Sequence, residues 1–197
     1  MAGQPKILVF AGSARAGSLN KKLARVAAQL AREAGAEVNF VDLDDYPMPL
    51  YHGDLEARDG MPENAMRLRE LFLAHQGLLI VSPENNTTVS ALLKNTLDWL
   101  SRSIGDGKGA NSGYAPYRDK VAAIFAASPG AFGGVRGLPH LRQILASLGV
   151  TVLGNQVALP HADAAFDEAG ALKDARAAKS VQGLSAALVA AVNRFSV

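Results

Sequence analysis

The chain has 197 residues, about half of them apolar, with 20 Lys and Arg against 18 Asp and Glu and no cysteine. That length fits one domain with a substantial core, and a net charge of +2 scattered along the chain excludes a nucleic-acid-binding tract. Disulfides, thiolate chemistry and Cys-based metal sites are excluded too, and His52, His75, His140 and His161 show no metal-ligand spacing.

The opening stretch, MAGQPKILVFAGS, has too short an apolar run for a signal peptide or a membrane span, so the expected location is cytoplasmic. From there the hydrophobic pattern alternates between short continuous runs and helical stripes, with no internal repeat. Residues 6–11 predict a buried strand ended by Gly12. Leu19, Leu23, Val26, Ala27 and Leu30 then share one helical face, closed by Gly35. Residues 37–42 predict a second strand, followed by a long loop with Pro47, Pro49, Gly53 and Gly60. Pro62 starts a helix whose core face includes Ala65, Leu68 and Phe72. A third strand, 77–82, feeds the segment PENNTTVSALLKNTLDWLSRS, whose helix presents Leu93, Leu97 and Leu100. Residues 104–113, IGDGKGANSG, read as a flexible loop, and 120–126 as a fourth strand. Leu138, Leu141, Ile144, Leu145 and Leu148 form the next stripe, and a fifth strand begins near Val150. The last helix spans roughly 174–194, with Ala177, Val181, Leu184, Leu188 and Val192 on its core side.

Strands that are apolar throughout need cover on both faces, and right-handed helical crossovers supply it. The expectation is a single α/β domain over 1–197: a three-layer sandwich around a five-stranded parallel sheet in the flavodoxin-like order 2-1-3-4-5. Ligands of such sheets bind beyond the carboxyl ends of the strands, at the switch point between strands one and three.

Three loops fall at that edge. In GSARAGSLN, residues 12–20, small residues let backbone amides approach an anion at a helix amino terminus, and Ser13, Arg15, Ser18 and Asn20 add donors. The same Ser18 would serve equally as a plain helix cap. PENNTT, residues 83–88, offers groups that pair with a heterocycle, or that build an ordinary turn. In SPGAFGGVR, residues 128–136, the glycines admit a flat ligand and Phe132 offers an apolar wall, unless the segment is only a connection.

Together these segments resemble the NADPH-dependent FMN reductase family, the flavodoxin-like group that includes chromate, quinone and azo-dye reductases. The family patterns GSxRxxSxN, PEYNxSxPxxLKNxIDW and SxGxxGGxR with a following HLR read here as GSARAGSLN, PENNTTVSALLKNTLDW and SPGAFGGVRGLPHLR. The resemblance covers about residues 5–160, with the motifs in order. It implies a non-covalent FMN site. Ser13, Arg15, Ser18, Leu19 and Asn20 would form its phosphate end, and Pro83, Glu84, Asn85, Asn86 and Thr87 would border the ribityl chain and ring. Ser128 and Gly130 would touch the flavin from the far side. It also implies an NAD(P)H oxidoreductase with NADPH or NADH as donor and ping-pong hydride transfer to a quinone, flavin, azo or metal-oxyanion acceptor. No side-chain catalytic residue and no metal are needed, because the flavin carries the chemistry. A homodimer or homotetramer is implied, with Trp99 and Arg102 at a subunit interface; neither a membrane nor a nucleic acid is an expected partner.

The chain departs from the family in three places. Asn85 replaces the aromatic after Pro-Glu, Thr88-Val89-Ser90 replaces Ser-x-Pro, and IGDGKGANSGYAPY is longer than the usual connection. That last segment reads as a lid over the flavin or, in preference, as a disordered surface loop. Two rival functions remain in view. A non-enzymatic flavodoxin-like electron carrier or redox-responsive FMN-binding protein would share the site, although such carriers are typically acidic. A hydrolase built on Ser128 needs an acid and then a histidine after it, and no Asp or Glu lies between Ser128 and His161.

Overall fold

The computed structural model describes residues 3–195; Met1 and Ala2, with which the amino-terminal stretch opens, and residues 196–197 lie outside the described residues. The strands are β1 (Lys6–Ala11), β2 (Glu37–Val41), β3 (Gly77–Val81), β4 (Glu84–Asn85), β5 (Thr88–Val89), β6 (Val121–Ala127), β7 (Thr151–Val152) and β8 (Val157–Leu159). The helices are α1 (Leu19–Glu33), α2 (Gly53–Asp59), α3 (Glu63–Ala74), α4 (Ala91–Leu100), α5 (Gly137–Ser147) and α6 (Ala175–Phe195).

The main sheet is parallel, in the order β2-β1-β3-β6, and its fifth position is shared by β7 and β8, both paired to β6. The expected flavodoxin-like order therefore holds. Side chains alternate across the pleat. Ile7, Val9, Leu79, Val81, Ala123 and Phe125 meet α1 and α6 on one face. Leu8, Phe10, Leu78, Ile80, Ala122 and Ile124 meet α3, α4 and α5 on the other. Both faces are covered, so β3 and β6 are buried at every position.

The structure departs from the sequence reading in four places. The fifth strand is broken between Val152 and Val157, and Arg142 of α5 mends the break: its guanidinium donates to Val152 O (3.2 Å), Leu153 O (2.7 Å) and Gly154 O (3.3 Å). The loop after β2 contains a 3-10 turn, Leu43–Asp45, and α2, a helix with no buried residue and hence no apolar stripe to read. Trp99 is fully buried within the chain rather than placed at a subunit surface. Its Nε1–H donates to Pro49 O at 2.8 Å and Tyr51 packs edge-on against it, while Arg102 Nε donates to Glu56 at 2.9 Å.

The fourth departure is the 104–113 segment, which is neither a lid nor unfastened. It follows the end of α4, and α4 runs away from the carboxyl edge of the sheet. Arg69 of α3, 1% exposed, holds it. Nη1 donates to Leu100 O (3.1 Å) and Arg102 O (3.3 Å), and Nη2 to Ala110 O (2.8 Å) and Ser112 O (2.5 Å). Burial lowers the guanidinium pKa, yet the carbonyls at the negative end of α4 suit a cation there.

A second buried cation makes the fold pH-sensitive. Lys120, just before β6, donates from Nζ to His75 O, and desolvation pulls its pKa from 10.5 down to about 8. Below pH 8 the native state carries a buried charge; above it the native state sheds the proton while the unfolded chain keeps it. Stability therefore rises between about pH 8 and 10.5, by up to about 3 kcal/mol. Urea unfolding at pH 7.5 and pH ~10 should show that gain, and Lys120→Met should remove most of it.

Candidate functional site

Beyond the carboxyl ends of β1, β3 and β6, three loops enclose a crevice of about 450 Å³. The first loop ends at Ser18, the N-cap of α1, whose Oγ accepts the Lys21 N–H at 3.3 Å. The Leu19 and Asn20 amides stand in the first turn, where no intrahelical acceptor exists, and that turn carries no acidic residue. Arg15 is exposed on the rim; its carbonyl accepts the Ser18 N–H at 3.1 Å, and its guanidinium makes a 3.3 Å contact to Gly17 O. Free amides, the positive end of a helix, a hydroxyl and an uncommitted guanidinium make a donor set that fits a phosphate. Lys21, absent from the sequence reading, shapes this loop from below. Its buried Nζ lies 2.7 Å from Asp42 Oδ1 and donates to Ala14 O at 2.9 Å.

Asn20 is where structure corrects the reading of a side chain. Its carboxamide donates to Ala127 O (3.0 Å) and accepts Ala127 N–H (2.9 Å), so it bolts α1 to the end of β6 and leaves its backbone N–H for a ligand.

The second loop is a hairpin of β4 and β5, which sequence patterning missed because two-residue strands have no period. Pro83, Glu84 and Asn85 line the crevice; Asn86 and Thr87 form the exposed tip and do not. The Glu84 carboxylate turns away from the crevice. It accepts Arg136 N–H (2.9 Å), Arg136 Nε–H (2.8 Å) and Gly137 N–H (3.2 Å) at the start of α5. Burial pushes the Glu84 carboxyl up, but these donors and the Arg136 charge outweigh it and hold it below its ordinary value. Ser90, the N-cap of α4, joins this loop to the first by donating to Gly12 O at 2.6 Å.

In the third loop, Ser128 and Pro129 line the crevice, and Gly130 and Phe132 do not. Gly133 and Gly134 take left-handed φ of 60° and 85° and admit neighbouring strands rather than a ligand. A Cβ on Gly133 would stand 2.7 Å from the Leu159 carbonyl carbon, and one on Gly134 2.8 Å from Ala126 Cβ. Phe132, 65% exposed, lies under the Arg136 guanidinium instead of walling the site. All five residues expected of the first loop, Ser13, Arg15, Ser18, Leu19 and Asn20, line the crevice. Among the described residues no cluster of His, Asp and Glu could hold a metal ion.

The family model for NADPH-dependent FMN reductase matches residues 5–164. The chain belongs to this family. It is 35% identical over 196 residues to an NAD(P)H-dependent FMN reductase of Pseudomonas aeruginosa, with 99% of each chain covered. A quinone reductase of Escherichia coli K12 is 35% identical over 154 residues, 78% of this chain and 76% of that one. Among solved structures, the flavoenzyme NAD(P)H:(acceptor) oxidoreductase FerB of Paracoccus denitrificans superposes with a TM-score of 0.80 at 28% identity, covering 97% and 98% of the two chains. Family membership makes the protein an FMN-linked NAD(P)H oxidoreductase, and the carrier and hydrolase readings fall away.

The geometry of the first loop gives a test of its role. Arg15→Ala should weaken FMN binding by about 1.5–3 kcal/mol, as expected when a charged hydrogen bond is lost. Riboflavin, which lacks the phosphate, should bind both forms alike. Fluorescence titration with the two flavins checks this; equal losses for both would show that Arg15 does not read the phosphate.

Proposed function

We propose that the crevice holds FMN non-covalently, with its phosphate on the amino terminus of α1 and its ring beside the 84–89 hairpin. The supporting observation is the convergence of the Leu19 and Asn20 amides, the Ser18 hydroxyl and Arg15 on one opening whose other walls are the second and third loops. Bound FMN would supply the two-electron chemistry. The protein's part is to seat it: the first loop neutralises the phosphate, and the hairpin backbone offers donors at the ring edge, where negative charge collects on reduction. NADPH or NADH is the donor, and the acceptor is a small molecule of the quinone type. Donor and acceptor use the same open face in turn, a double-displacement sequence that needs no side-chain nucleophile.

The oligomer that fits this reading is a homodimer or homotetramer. Leu50 and Phe132, 78% and 65% exposed, offer apolar surface for a second copy. Among the described residues no helix is long and apolar enough to cross a membrane, which is compatible with a cytoplasmic location.

Initial rates with NADPH and a benzoquinone should give parallel double-reciprocal lines. Anaerobic NADPH and NADH that both leave the bound flavin yellow would overturn the reductase reading.

Asn85, exposed where the resemblance expects an aromatic ring, lines the crevice, as Leu92 does. Asn85→Tyr should leave FMN affinity nearly unchanged, because backbone groups make the ring-edge contacts. The Michaelis constants for NAD(P)H or bulky quinones should shift by up to about tenfold, the scale of an aromatic contact worth ~0.5–1.5 kcal/mol. Steady-state kinetics with a small and a bulky quinone measure it.

A further inference from the structure

The hairpin that gives Pro83, Glu84 and Asn85 to the crevice holds a shape its own sequence disfavours. Its two-residue turn places Asn86 and Thr87 at φ of 49° and 66°. Hairpin turns of this length require that left-handed region, and Asn tolerates it, but the β-branched Thr87 does not. The hairpin has only two residues per strand and cannot hold such a turn alone.

The first turn of α5 supplies what is missing. Glu84, on β4, is anchored to Arg136 and Gly137 as described above. On β5, Thr88 Oγ1 lies 2.8 Å from His140 Nδ1. Between these two anchors, Gly137 sits so close that an added Cβ would stand 3.1 Å from Thr88 O. Each strand of the hairpin is thus tied to the same helical turn, one by a carboxylate and one by a hydroxyl–imidazole pair. His140 is exposed and outside the crevice lining, so it has no direct part in seating a ligand.

We propose that His140 is a positioning residue for the flavin reaction: through Thr88 it fixes β5 and the strained tip, and so sets the hairpin edge against the ring. The inference rests on the reading that the ring lies beside this hairpin. It separates the two ends of the site. With His140 removed, the hairpin keeps its Glu84 anchor, and the phosphate end, held by other residues, is untouched. What is lost is the fixed geometry of residues 85–88.

In the apo-protein, His140→Ala should speed amide hydrogen exchange at residues 85–88 by about fivefold to tenfold, the scale of one lost hydrogen bond. FMN affinity should change by less than about threefold, and kcat should fall by about fivefold to tenfold with a smaller change in KM. Thr88→Val should reproduce these effects, and the double variant should be no worse than either single one, because the pair acts as a unit. His140→Asn, which puts a polar atom where Nδ1 stood, should restore exchange and kcat; His140→Gln, which places it farther out, should not. Unchanged exchange in His140→Ala, losses that multiply in the double variant, or rescue by Gln equal to that by Asn would each overturn the proposal. A wild-type protein that fails to bind FMN would defeat the site reading instead, and the apo exchange comparison would still decide whether the latch exists.

Discussion

The Asn20 carboxamide, closed in both directions on the backbone of Ala127, is the bond on which the crevice depends. β1 and β6 are not neighbours in the sheet, because β3 lies between them. The sheet's own hydrogen bonding relates the loop after β1 to the loop after β6 through β3 rather than directly. Asn20 makes the direct link from the first turn of α1, and two further links complete a triangle. Ser90 ties the second loop to the first through Gly12 O, and Glu84 ties the second to the third through Arg136 and Gly137. Each loop is held to both others before any ligand arrives. That arrangement lowers the ordering cost that binding would otherwise carry, which for loops is about 0.5–1.5 kcal/mol per immobilised side chain.

The triangle also explains why polar side chains at this edge point away from the opening. Asn20, Ser90 and Glu84 all use their side chains on backbone groups of a neighbouring loop. The polar groups left facing the crevice are backbone amides, hydroxyls, Arg15 and Asn85. A buried polar side chain is costly unless its partners are complete, and backbone groups at loop ends are partners that cannot wander. Far from this edge the same device recurs with cations. Arg69 gathers carbonyls from 100–112, and Lys120 takes the carbonyl of His75. Both cations lie in the body of the fold, where they are used to fasten chain rather than to bind.

Much of the fold was legible because strands buried on both faces are apolar at every position, and because the stripes of α1, α3, α4, α5 and α6 follow the helical period. What escaped the sequence reading has no such signal. The β4–β5 hairpin is too short for a period, α2 buries nothing, and the break in the fifth strand is made good by Arg142 of a distant helix. Trp99 gives no sequence sign of burial because its cover, the loop carrying Pro49 and Tyr51, approaches from far away in the chain. At the site, the three loops that line the crevice were readable in the sequence, since small and hydrogen-bonding residues cluster after β1, β3 and β6. Which of them turn inward was not. Asn20 and Glu84 look like ligand-binding residues in sequence and become braces only when Ala127 and Arg136 come near.

The two ends of the crevice are held with unequal firmness. At the α1 end, Ser18, Asn20 and Lys21 are all less than a tenth exposed, and each is hydrogen-bonded or ion-paired. At the hairpin end, left-handed backbone at a non-glycine residue costs on the order of 1–3 kcal/mol, and Thr87 carries it with one local hydrogen bond, from its hydroxyl to Asn86 O at 2.6 Å. The hydrogen bonds from α5 that oppose this strain are worth about 0.5–1.5 kcal/mol each for neutral groups and ~1.5–3 kcal/mol where Glu84 is the acceptor. Strain and restraint are of similar size, so the hairpin is held with little margin. In the proposed FMN site, the firmly held loop before α1 would take the phosphate, and the hairpin near balance, latched by α5, would border the ring.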